Sequence, residues 1–263
     1  MIVAGIQMDI AWEDPEANFR KVEALVEEAS PSEPRLLVLP EMFATGFSMR
    51  AREMAAMARE TRAFLSDLSS RRSLFILGGY AEPSDPLPSN ACSIFDPKGE
   101  EILHYRKLHP FSLAGEEEHY LPGDSLPTAV LEGLRVTPLI CYDLRFPEPF
   151  RGAALGTDLY CVIANWPDKR RQAWTGLLRA RAIENQAYVM GVNRVGMGSG
   201  EAHAGDSVLL DPMGEVVAEM AAYEEGVFVG RIEGEKVAGT RERLPFLEDR
   251  RPKLYRRLED AQG

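Results

Sequence analysis

The chain has 263 residues, 45% of them hydrophobic and 27% charged, enough to bury a sizeable core in one large domain or two small ones. Lys and Arg total 30 against 41 Asp and Glu, and the net charge of -11 opposes binding to phosphate backbones and anionic lipid surfaces. Neither nucleic acid nor a membrane is an expected partner.

No linker interrupts the chain, so a single main domain over residues 1–240 is expected, followed by a charged tail over 241–263. The opening MIVAGIQMDIAWED is apolar over too short a stretch to span a bilayer, and no positive segment precedes it. It reads as a first strand, and a cytoplasmic location is expected. The amphipathic NFRKVEALVEEA, the strand-like RLLVLP, a helix around 51–69 and the strand-like SLFILGGY then alternate in the rhythm of an α/β protein. Near Asn90 the pattern changes. ACSIF and EEILHY flank Asp96-Pro97-Lys98-Gly99, a hairpin turn signal, and DSVLL and EVVAEM flank Asp211-Pro212-Met213-Gly214 in the same way. Hairpins joined to crossover units predict mixed sheets with helices outside them. From Thr240 onward the tail mixes charge with Pro, Phe, Leu and Tyr, which suits either a solvated disordered tail or an arm packed on a partner subunit.

Three strand candidates end in residues of catalytic type: LLVLP before Glu41, RVTPLI before Cys141, and LYCVIA before Asn165 and Trp166. Ligands bind beyond the carboxyl ends of strands in open α/β sheets, so these three ends are expected to converge. The three cysteines, Cys92, Cys141 and Cys161, are an odd number with no CxxC pair, which argues against a disulfide framework or a zinc site. Cys92 and Cys161 sit inside apolar runs and read as small core residues. Cys141 differs, because it stands where a strand hands over to a polar turn.

A thiol is largely protonated at neutral pH and needs a base to take its proton or a cation to favour the thiolate. Glu41, embedded between LLVLP and MFATGF, suits the role of base, although an acid at a solvated strand end would look the same in sequence. Lys107, in HYRKLHPF, is either an ordinary surface lysine or, if it faces Cys141, a cation that lowers the thiol pKa and holds an oxyanion. The backbone N–H of Tyr142 would be a second oxyanion donor.

LPEMF, YRKLHPF and CYDLRFPE, with Glu41, Lys107 and Cys141 in that order, resemble the Glu-Lys-Cys signature of the nitrilase superfamily of carbon–nitrogen hydrolases. ANWP (164–167), ARAIENQAYV (180–189) and GDS (205–207) extend the resemblance over nearly the whole chain. RKLHPF, the PGD at 122–124, CYDLRFPE and ANWP together most resemble the omega-amidase branch, which hydrolyses the terminal amide of 2-oxoglutaramate and 2-oxosuccinamate. The resemblance implies a four-layer α-β-β-α sandwich of two mixed sheets, homodimers paired through helical faces, and neither metal nor organic cofactor. It also implies a second site glutamate shortly before PGD. Alignment on PGD selects Glu116, with Glu117 and Glu118 as neighbours that could take its place.

For a substrate with a distal carboxylate, Arg145 is a candidate grip, and an internal pair with Asp143 or Glu148 is the alternative. Phe43, Phe47 and Trp166 are candidate pocket walls and Asn165 a candidate substrate contact. Rival readings are a Cys-His hydrolase using His104, His109, His119 or His203, and a catalytically silent binding or assembly protein. The glycine-rich run 196–200 reads as a flexible turn rather than a phosphate loop, since no Lys-Ser/Thr follows it. Other small amides, N-carbamoyl compounds and nitriles remain open as substrates.

Overall fold

The computed structural model describes residues 1–29 and 32–261, and within them two six-stranded mixed sheets pack face to face with helices outside. The first sheet is built from β1 (Ile2–Gln7), β2 (Leu36–Val38), β3 (Phe75–Glu82), β4 (Ser89–Phe95) and β5 (Glu101–Arg106), with β14 (Gly226–Arg231) returning to its edge. Its spatial order is β14-β1-β2-β3-β4-β5, parallel from β1 to β3 and antiparallel elsewhere. The second sheet holds β6 (Ala129–Leu131), β7 (Leu134–Ile140), β8 (Leu159–Ala164), β9 (Tyr188–Asn193), β12 (Val208–Leu210) and β13 (Val216–Glu219), in the order β13-β12-β9-β8-β7-β6. β7, β8 and β9 run parallel at its centre. A separate hairpin joins β10 (Val195–Gly198) to β11 (Glu201–Ala204).

Three apolar clusters explain the layering. Val38, Leu77, Cys92 and Ile94 of the first sheet meet Val136, Ile140, Cys161 and Ile163 of the second, forming the inner core. The helix expected around 51–69 is split into a short α2 (Ala51–Ala56) and α3 (Ala58–Arg72), and the outer face of the first sheet packs on α1 (Pro15–Ala29) and α3 through Val22, Leu25, Leu65 and Leu68. The outer face of the second packs on α4 (Pro147–Ala153) and α5 (Arg171–Asn185) through Phe150, Trp174 and Leu178. Central strands buried on both faces read as continuous apolar runs for this reason. Cys92 and Cys161 lie in the inner core as free thiols, as their surroundings in sequence suggest.

Both anticipated hairpins form, and the two turns use one device. Asp96 Oδ1 accepts the N–H groups of Lys98 and Glu100, and Asp211 Oδ1 accepts those of Met213 and Glu215. Gly99 and Gly214 supply the positive φ angles, 82° and 81°, that close each turn. The glycine-rich run forms the tip of the β10–β11 hairpin.

Residues 241–261 of the expected tail are structured, and 262–263 lie outside the described residues. α6 (Gly234–Arg243) runs through the expected boundary, and α7 (Pro252–Asp260) follows it. Gln186 donates to Leu244 O at 2.7 Å, and Leu247 is buried against the main body. Phe246, Tyr255 and Leu258 remain exposed.

Candidate active site

Glu41, Cys141 and Asn165 follow the carboxyl ends of β2, β7 and β8, and Lys107 follows β5, so the two sheets deliver their residues to one point. Two glycines let the chain pass closely enough. A Cβ on Gly79 of β3 would lie 2.9 Å from Met42 N and 3.0 Å from Glu41 Cα, so the turn carrying Glu41 rests directly on the strand. A Cβ on Gly123, in PGD, would lie 2.3 Å from Arg106 O. The bare glycine lets its N–H donate to Lys107 O at 2.8 Å.

Cys141 has φ 48°, a left-handed conformation costly for a residue with a side chain, at the junction of β7 and a 3-10 turn over Cys141–Arg145. Asp143 holds that junction. Its Oδ2 accepts from Ile140 N at 2.9 Å and Tyr105 Oη at 2.7 Å. Its Oδ1 accepts from His109 N at 3.0 Å and contacts His109 Nδ1 at 2.8 Å. The turn bearing Cys141 is thereby tied to the segment bearing Lys107. Tyr142 is the second residue of the turn, where a helical N–H has no intrahelical acceptor, which leaves it available to an incoming oxygen.

Three charges meet beside the thiol. Glu41 is fully buried, and its Oε1 accepts from Asn90 Nδ2 at 2.7 Å and Lys107 Nζ at 3.2 Å. Its Oε2 accepts from Asn165 N at 2.8 Å, and its charge is among the groups that act on the Cys141 thiol. Lys107 Nζ also donates to Glu116 Oε2 at 2.7 Å. Glu116 is buried whereas Glu117 and Glu118 are exposed, so the acidic run contributes one member to the cluster. Its remaining bonds come from Phe111 N at 2.5 Å and Asn90 Nδ2 at 2.9 Å.

The electrostatics follow from one ammonium between two carboxylates. Burial alone would lower the Lys107 pKa, but Glu116 and Glu41 together raise it above the ordinary lysine value, so the side chain stays cationic. Burial, with the Glu41 charge adding, raises Glu116 against the pull of Lys107. For Cys141 the outcome differs from the sequence expectation. Lys107 does favour the thiolate, but burial and then Glu41 outweigh it and push the thiol well above its ordinary value. Cys141 therefore rests as a thiol and must hand its proton to a base as it attacks.

The thiol lies at one side of a cavity of about 300 Å³, a size suited to a small molecule. Phe47, Trp166, Asn165, Tyr142 and Arg145 line it. Phe43 does not. It is fully buried on the helical side, tilted against Phe19 with centroids 6.1 Å apart, because Met42 at φ 44° turns the chain and sends Phe43 into the outer core. Among the described residues Arg145 pairs with neither Asp143 nor Glu148: the Asp143 oxygens are engaged elsewhere, and the Arg145 guanidinium lies 4.9 Å over the Trp166 ring.

Asn90 went unassigned from sequence, although its one side-chain nitrogen bridges Glu41 and Glu116. The signal was a polar residue in a strand otherwise able to be buried. Among the histidines, His203 lines the cavity, and burial, reinforced by Arg194, pushes it down to about 4, so it is neutral at pH 7. His109 is committed to Asp143, and no histidine is among the groups that perturb Cys141. Among the described residues, no cluster of His, Cys, Asp and Glu has metal-binding geometry, and no helix is long and apolar enough to cross a membrane.

A thiol at a cavity wall, beside a buried carboxylate, a fixed ammonium and a free N–H, is equipped for acyl transfer from nitrogen through a covalent intermediate. The chain belongs to the carbon-nitrogen hydrolase family, whose characteristic sequence matches residues 2–242. It is an enzyme of that class, with the nitrilase-superfamily fold. It is 39% identical over 245 residues to the omega-amidase YafV of Yersinia enterocolitica, covering 93% of this chain and 94% of that one. It is 34% identical over 257 residues to the 2-oxoglutaramate amidase of Bacillus subtilis (strain 168), covering 96% and 98%. Among solved structures, XC1258 of Xanthomonas campestris, a CN-hydrolase superfamily protein with an arsenic adduct in its active site, superposes with a TM-score of 0.89 at 33% identity over 95% of this chain and 97% of that one. An amidase from Nesterenkonia sp. AN1, in a variant whose active-site cysteine carries a Michael adduct of acrylamide, matches with a TM-score of 0.87 at 26% identity over 98% and 99%.

Proposed function

We propose that this enzyme hydrolyses the terminal amide of small 2-oxo dicarboxylate monoamides, 2-oxoglutaramate and 2-oxosuccinamate, to the acid and ammonia. The observation that carries the reading is one small cavity lined by Cys141, by Lys107, whose ammonium donates to the buried Glu41 carboxylate at 3.2 Å, and by the Arg145 guanidinium, which has no ion pair among the described residues. The similarity to proteins named omega-amidase and 2-oxoglutaramate amidase supports the substrate class.

In this account Glu41 takes the thiol proton as Cys141 Sγ attacks the amide carbon. Lys107 Nζ and the Tyr142 N–H hold the oxyanion, and Glu41 passes its proton to the amide nitrogen as the C–N bond breaks and ammonia leaves. Water then gives a proton to Glu41 and attacks the thioester, and the C–S bond breaks with return of that proton to Cys141. Glu116 positions Lys107. Arg145 grips the substrate carboxylate, with Trp166 behind it and Asn165 beside the reacting group. The account calls for neither metal nor organic cofactor.

We infer further that residues 1–240 form the catalytic domain, that the protein acts in the cytoplasm, and that it is a homodimer in which 241–263 reach the partner. Exposed Phe246, Tyr255 and Leu258 of that segment and Ile183 on α5 support the pairing.

Ammonia release by wild type and Cys141→Ala across 2-oxoglutaramate, 2-oxosuccinamate, glutamine, N-carbamoyl amino acids and simple nitriles tests the reading. Release that depends on Cys141 and is fastest with the 2-oxo acid amides is expected. Activity confined to another compound overturns the substrate but keeps the mechanism, and none at all favours a silent binding protein.

A further inference from the structure

The positive groups at the cavity mouth are not equivalent. Arg145, Lys169 and Arg170 all line the space that Cys141 faces. Lys169 is neutralised by an ion pair with Glu201. Arg145 and Arg170 have no ion pair among the described residues and rest on aromatic faces instead, Arg145 4.9 Å over Trp166 and Arg170 4.8 Å over Phe111. Glu201 lies within electrostatic range of Arg170, but its carboxylate is bonded to Lys169. Two uncompensated guanidinium groups thus face one cavity in a protein whose net charge is -11.

The two are also mechanically joined. Trp166, which backs Arg145, donates from its indole Nε1 to the carbonyl of Arg170 at 2.9 Å. Trp166 N is in turn fixed by Asn193 Oδ1 at 2.8 Å. Stacking immobilises a guanidinium while leaving its edge N–H groups free, the presentation suited to the oxygens of a carboxylate.

We propose that Arg170 is a second specificity-determining residue, which shares the distal carboxylate of the substrate with Arg145. The enzyme is thereby selective for amides that carry an anionic group at the far end. This inference rests on the substrate reading above.

The test compares wild type, Arg170→Met, Arg170→Lys and Lys169→Met in two measurements: KM for 2-oxoglutaramate, and the rate at which iodoacetamide, a small neutral reagent, alkylates Cys141. Met keeps apolar contact with Phe111 while removing the charge. Loss of a charge-assisted contact predicts a KM about tenfold or more higher for Arg170→Met, with partial recovery in Arg170→Lys. Alkylation should stay within about twofold of wild type, since truncation of a partly exposed side chain leaves the thiol and its neighbours in place. Lys169→Met removes the same charge one residue away and should change KM much less. An unchanged KM in Arg170→Met overturns the proposal, as does an equal rise in Lys169→Met, which would mark a diffuse field, or a parallel fall in alkylation, which would mark a deformed site. If wild type turns over no carboxylate-bearing amide, the functional reading itself fails and the proposal with it. Wild-type turnover with an unaffected Arg170→Met removes Arg170 alone.

Discussion

Asn165 holds Glu41 at two points: its backbone N–H donates to Glu41 Oε2 at 2.8 Å, and its side-chain Nδ2 donates to the Glu41 carbonyl at 2.5 Å. Glu41 follows a strand of the first sheet and Asn165 a strand of the second, so the pair joins the two halves of the sandwich where the thiol sits. Asn165→Ala keeps the first bond and loses the second, leaving a buried carbonyl unpaired. A loss of about 1–3 kcal/mol in transition-state stabilisation, read as a fall in kcat of roughly five- to a hundredfold, is expected while the fold persists. Steady-state kinetics alongside thermal unfolding check it, and a variant as active as wild type would show that the second bond does not position the base.

The cluster of one ammonium and two carboxylates makes opposite predictions for its members. Lys107→Met leaves two buried carboxylates without a counter-charge and should destabilise by about 3 kcal/mol or more, with activity lost. Glu116→Gln leaves Lys107 paired one-to-one with Glu41. It should unfold close to wild type while kcat falls, and the double variant should be less destabilised than Lys107→Met alone. Denaturant midpoints of the three proteins decide this. Additive losses would mean that the charges do not interact.

Cys141 rests as a thiol because burial and the Glu41 charge together exceed the pull of Lys107. The thiolate absorbance of wild type minus Cys141→Ser should therefore stay flat from about pH 6 to about pH 9, spanning the ordinary thiol value. A step below pH 8 would indicate a preformed ion pair instead. Native protein should also show one labelled thiol, with Cys92 and Cys161 reacting only on unfolding, since both are fully buried in the inner core.

Much of this geometry is legible in the sequence because strand ends are. β2, β7 and β8 are apolar runs that stop at a polar residue, and the stop marks the position where a side chain emerges from the sheet. Burial distinguishes Glu116 from its two neighbours, and a local acidic run carries no such information. Phe43 and Phe47 are equally aromatic and close in sequence, and the positive φ angles of Met42 and Gly46 in the turn between strand and helix send one to the core and the other to the cavity. Asn90 resembles a turn residue beside a strand, since both of its carboxylate partners come from distant segments. The direction of the Cys141 shift is a balance of opposing terms that no motif encodes.

His203 links stability to pH. Burial, followed by the Arg194 charge, holds it down to about 4, below the ordinary histidine value, so the unfolded chain binds more protons in the interval between. Its contribution is present above about pH 6.5 and is lost as pH falls towards 4, amounting to roughly 3 kcal/mol at full effect. Unfolding midpoints measured at intervals across that range should fall less steeply for His203→Gln than for wild type. Parallel slopes would mean that the histidine is protonated in the native state.

The central claim is a covalent acyl-enzyme on Cys141 formed with Glu41 as base. Rapid acid quench of wild type mixed with excess 2-oxoglutaramate, followed by intact mass and peptide mapping, tests it most directly. The account predicts an adduct on Cys141 with the mass of the substrate less ammonia, formed far more slowly in Glu41→Gln and absent in Cys141→Ala. Ammonia release at full rate with no adduct at Cys141, or an adduct formed equally fast without Glu41, would contradict it.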